Sequence, residues 1–70
     1  MRKRMTSREV GKLTEMGRVD KLYKIVDYVQ DQYPKGVESC DTLENLEDYA
    51  IALLDWVTLG NSLKKIEKEK

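Results

Sequence analysis

The sequence predicts an all-α fold, a helical hairpin with a short N-terminal helix, and three features carry that expectation. Two stretches, 19–33 and 43–59, repeat apolar residues at spacings of three and four. A Pro-Lys-Gly step at 34–36 separates them, and no stretch alternates apolar and polar residues as a half-buried strand would. The expectation extends to dimerisation into a four-helix bundle. A chain of 70 residues buries little apolar surface on its own, its single Cys40 cannot close an internal disulfide, and with no His it lacks a structural zinc set.

The whole chain reads as one small helical domain. Residues 1–6 form a basic tail. Thr6 and Glu9 then match a capping box, which starts a first helix over 7–16 carrying Val10, Leu13 and Met16. Continued as one straight helix, Val10 and Leu13 would lie roughly 160° from the later stripe of Val19, Leu22, Val26, Val29 and Tyr33. Gly17 falls where the phase changes and suits a left-handed helix end, so a second helix is expected over 18–33, with one kinked helix as the alternative. Pro34 stops that helix, and residues 34–41 form a loop.

Asp41 or Thr42 caps a third helix over 42–68. Leu43, Leu46, Ala50, Leu53 and Val57 form an a/d seam expected to pack on the second helix, flanked by Leu54 on one side and by Tyr49 and Trp56 on the other. Glu44, Asp48, Asp55 and Thr58 line up around Ile51, with Glu47 nearby, and this face is expected to be wet and negative. Trp56, Leu59, Leu63 and Ile66 make a second stripe, rotated by about 120° from the seam. Either the helix breaks at 60–62, or one helix presents both stripes. In the second case Trp56, Leu59, Leu63 and Ile66 are the expected dimer interface.

Lys and Arg number 13, as do Asp and Glu, so the formal net charge is zero, but the charge is polarised along the chain. Residues 1–24 hold eight basic against three acidic side chains, residues 25–62 one against eight, and residues 63–70 four against two. Such asymmetry bears on partners and self-association more than on fold.

Catalysis is not expected. The commonest general acid/base, His, is absent, and Cys40 has no imidazole partner. Glu44, Glu47 and Asp48 lack the inward Glu-x-x-His pairs of a di-iron bundle and lie mainly off the seam, so neither a metal nor a cofactor is expected. The basic start is followed by polar residues rather than an apolar signal region, and no apolar run approaches the roughly 18 residues of a membrane span. A cytoplasmic location without membrane contact is the expectation.

The functional expectation is a homodimeric protein–protein interaction module, a regulator or adaptor. Its acidic face of Glu44, Glu47, Asp48, Ile51 and Asp55 would bind an unidentified protein partner. The alternative is nucleic-acid binding. The segment from Thr6 to Val26 resembles a helix-turn-helix, with a capped first helix, a glycine in the turn and a basic second helix. That resemblance implies a DNA-binding regulator in which Arg18, Lys21 and Lys24, with Arg2, Lys3 and Arg4 of the tail, contact phosphates.

Overall fold

Two breaks in helical phase, at Gly17 and at Pro34, divide the chain into the helices found in its computed structural model, which describes residues 3–69 and the side chains of 3–65. Helix α1 spans Ser7–Glu15, α2 spans Val19–Gln32, a short 3-10 turn spans Gly36–Ser39, and α3 spans Leu43–Glu69. Every regular element among the described residues is helical.

Each boundary has a local cause. The Thr6 hydroxyl accepts the Glu9 N–H at 3.2 Å, which satisfies one of the orphan donors of α1. The Glu9 carboxylate accepts from that same hydroxyl at 3.3 Å instead of reaching back to the backbone. Gly17 sits at φ +63°, and the N–H groups of Arg18 and Gly17 donate to the carbonyls of Leu13 and Thr14. That is the Schellman pattern, which lets α1 end and the chain turn into α2. Gly36 also has positive φ, and a Cβ there would lie 3.1 Å from the Tyr49 hydroxyl. Thr42 caps α3, its hydroxyl accepting the Asn45 N–H at 3.1 Å. Gly60 lies inside α3, which is unbroken through residues 60–62.

Helices α1 and α2 both pack on α3 more than on each other. Helix α1 lies along the C-terminal half of α3, held at its entry by the Met5 N–H, which donates to Asp55 Oδ1 at 3.0 Å. Helix α2 runs antiparallel to α3, with Leu22 beside Gly60 at one end and Tyr33 bonded to Asp48 at the other. Val10, Ile25 and Leu59 form a core cluster, with Met5, Leu13, Leu22, Trp56 and Leu63 packed around it. The molecule measures 42 × 20 × 15 Å. Its long axis is set by α3, whose 27 residues extend about 40 Å.

The rotation of α3 corrects the expectation drawn from its seam. Leu43, Leu46, Ala50 and Val57 are exposed and only Leu53 is half-buried, whereas Asp48, Ala52, Asp55 and Leu59 face inward. The inward residues are also spaced four and three apart, so the helix offers two competing stripes. The polar one wins because its carboxylates find donors and its alanine adds no bulk to the packed side. Ala52 is fully buried. Helix α2 buries Ile25 and Val29, and its C-cap Tyr33 is buried too, while Val19 at the head of its expected seam is exposed.

Candidate interaction surface

The surface begins with what α3 turns away from its own neighbours. Leu43 is 75% exposed and Val57 57%, with Leu46, Ala50 and Leu54 exposed between them. These positions share one side of the helix over about four turns. A run of large apolar side chains on one face of a small protein is informative in a way that a solitary exposed leucine is not.

Toward its C-terminal end this face meets α2. Val57, Gly60 and Asn61 of α3, with Val19, Leu22 and Tyr23 of α2, border a groove of about 410 Å³ whose walls also include Trp56, Leu63 and Lys64. Gly60, which has no side chain, is part of this lining. Its nearest neighbour is a Leu22 methyl, 3.9 Å from where a Cβ would stand. Tyr23 and Val19 are exposed at the rim, so the apolar face of α3 continues onto α2.

On the opposite side, two carboxylates hold α3 in this rotation. Asp48 is only 7% exposed, and its Oδ2 accepts the hydroxyls of Tyr28 and, at 2.7 Å, Tyr33. The Tyr33 ring meets Tyr28 edge-on at 6.4 Å and Tyr49 at 5.2 Å, so the carboxylate lies within an aromatic cluster. The Asp48 hydrogen bond and, secondarily, burial raise the Tyr33 pKa well above its ordinary value. Asp55, one heptad later, is 1% exposed and anchors the chain entering α1 through Met5.

The residues singled out from sequence are redistributed by this rotation. Leu59 is fully buried in its own chain, whereas Trp56 and Leu63 are half-buried, packing on the same core and lining the groove; Ile66 lies outside the described side chains. Of the acidic set, Asp48 and Asp55 point inward, Asp48 accepting from the Tyr hydroxyls and Asp55 Oδ1 from the Met5 N–H, Ile51 is half-buried, and Glu44 and Glu47 remain exposed.

Among the basic residues, Lys3, Arg4, Lys21 and Lys24 are exposed, and Arg2 lies outside the described residues. Arg18 is engaged by Asp20 in a two-pronged pair, both N···O distances being 2.9 Å. This pair lowers the Asp20 pKa to about 2, chiefly through the hydrogen bond from Arg18. The Gly17 turn is present, but α1 and α2 lean on α3 instead of forming the tight two-helix unit of a helix-turn-helix.

Cys40 is half-buried, its thiol 3.7 Å from the Gly36 carbonyl. Among the described residues no group of three or more His, Cys, Asp or Glu is placed to hold a metal ion, and no helix is long and apolar enough to cross a membrane. The exposed face of α3 is legible in the sequence as a seam, but α2 does not cover it. The signal that could have turned it outward is Tyr28 and Tyr33, two phenols on α2 that need acceptors once buried. Compared with family models, curated proteins and solved structures, the chain gives no match.

Proposed function

We propose that this chain is a small non-catalytic helical interaction module that works as a homodimer, with the apolar face of α3 as the contact between copies. The observation that carries the reading is the run from Leu43 to Val57, whose exposed large side chains lie on the helix that forms the spine of the molecule. A second copy would give this face the apolar neighbour that its own chain does not supply. Burying a leucine or valine is favourable by about 1.5–3 kcal/mol per side chain, a large quantity beside the few kcal/mol that hold a domain of this size.

In this reading the bundle is built from the α3 helices of two copies, each flanked by its own α2. Glu44 and Glu47, which stay exposed beside the dimer face at the N-terminal end of α3, suit a basic protein surface. The module would act as a regulator or adaptor by presenting that end.

Sedimentation equilibrium tests the dimer. The expected mass at micromolar concentration is about twice the 8.2 kDa of one chain, and Val57→Glu, which places a charge in the face without touching the monomer core, returns it to that of one chain. A native protein that stays monomeric at hundreds of micromolar refutes the proposal.

A further inference from the structure

We infer that the two copies pair antiparallel through α3, with Leu43 of each seated in the groove beside Gly60 of the other; this rests on the dimer reading above and adds its direction and register. The first argument is steric. Reversing the face on itself about a point between Ile51 and Ala52 brings Leu43 opposite Gly60, Leu46 opposite Val57, and Ala50 opposite Leu53. Each layer then joins a larger side chain to a smaller one, the complementarity that lets knobs enter holes. Leu43 is the most exposed of the large apolar residues, and the groove at Gly60 is walled by Tyr23, Trp56 and Val57. A parallel pair would instead put Leu43 against Leu43 and leave two glycines facing each other.

The second argument is electrostatic and independent of side-chain size. The acidic residues Glu38, Asp41, Glu44 and Glu47 sit at one end of α3 and the approach to it, and Lys64 and Lys65 sit toward the other; all are exposed. In the antiparallel register Lys64 and Lys65 extend past Leu43 of the other copy, toward the N-terminal end of its α3, where Asp41 precedes the helix. A parallel arrangement would set acidic end beside acidic end and align the two helix dipoles, both unfavourable.

Cysteine cross-linking reads the register directly, because a disulfide forms only where Cα atoms approach within roughly 4.4–6.8 Å. In a Cys40→Ser background, chains carrying Leu43→Cys are mixed with chains carrying Gly60→Cys and mildly oxidised, and each single variant is oxidised alone. Sedimentation of every sample establishes whether it is dimeric. The expected result is a mixed 43–60 disulfide as the dominant covalent product, with little product from Leu43→Cys alone. A second arm, Lys64→Glu with Lys65→Glu, is expected to weaken the dimer at low salt and to lose its effect at high salt. Samples that are dimeric yet cross-link through Leu43→Cys alone overturn the antiparallel register and leave the dimer standing. Dimers that form no 43–60 link also overturn the register, whereas a monomeric native protein overturns both.

Discussion

Replacing Asp48 with Ala decides which way α3 faces. If this residue sat on a wet acidic surface, the change would be nearly silent, since exposed substitutions move stability by no more than about 0.5 kcal/mol. In the structure its Oδ2 accepts from both Tyr28 and Tyr33 and only 7% of the residue is exposed. A hydrogen bond to a charged group contributes about 1.5–3 kcal/mol. The two phenols share one oxygen, and half-buried Tyr28 can turn its hydroxyl to water, so the loss is nearer one full bond than two. Allowing about 0.5 kcal/mol for the better helix propensity of Ala, the net cost is about 1–2.5 kcal/mol.

Such a loss is a large part of the few kcal/mol that a domain of this size has to spare. With a urea m-value near 1 kcal/mol/M, the unfolding midpoint should fall by about 1–2.5 M. Glu47→Ala, one residue away and exposed, is the control for propensity and net charge. Both variants are measured by circular dichroism at equal concentration, under conditions where sedimentation shows the same mass. A midpoint for Asp48→Ala within about 0.5 M of the Glu47→Ala midpoint would refute the inward carboxylate and with it the exposed apolar face.

Leu59→Ala removes a fully buried side chain from the cluster with Val10 and Ile25. It should cost about 2–5 kcal/mol whatever the state of association, as urea unfolding across a range of protein concentrations will show; a concentration-dependent loss would return Leu59 to the dimer contact. The Asp20 carboxyl, followed by NMR, should titrate near 2 in the native protein and move back toward its ordinary 3.8 in Arg18→Gln. Its pKa is depressed on folding, so the contribution of this pair is present above pH 3.8 and lost as pH falls through the folded value. An unmoved Asp20 in that variant would mean that the Arg18 pair does not persist in solution.

Where the chain bends is written locally, and those positions were legible from sequence. Thr6 caps a helix through its own hydroxyl, Gly17 takes a backbone conformation that other residues resist, and Pro34 cannot continue a helix. The all-helical class follows from the same short-range chemistry together with the period of the apolar residues. The candidate surface was half legible: Leu43, Leu46, Ala50 and Val57 share a stripe by spacing alone, but spacing cannot name the stripe's neighbour.

Only the tertiary structure decided that neighbour. Two stripes of similar period compete on α3, and hydrophobicity favours the one that is exposed. What settles the rotation is polar satisfaction across long separations in sequence: Tyr28 and Tyr33 reaching Asp48, and the Met5 N–H reaching Asp55, fifty residues away. A buried carboxylate is tolerable only where donors meet it, and no count of apolar residues along one helix reveals donors on another. The sequence by itself determined helices, turns and stripes; the long-range hydrogen bonds determined which stripe the fold covers and which it leaves exposed.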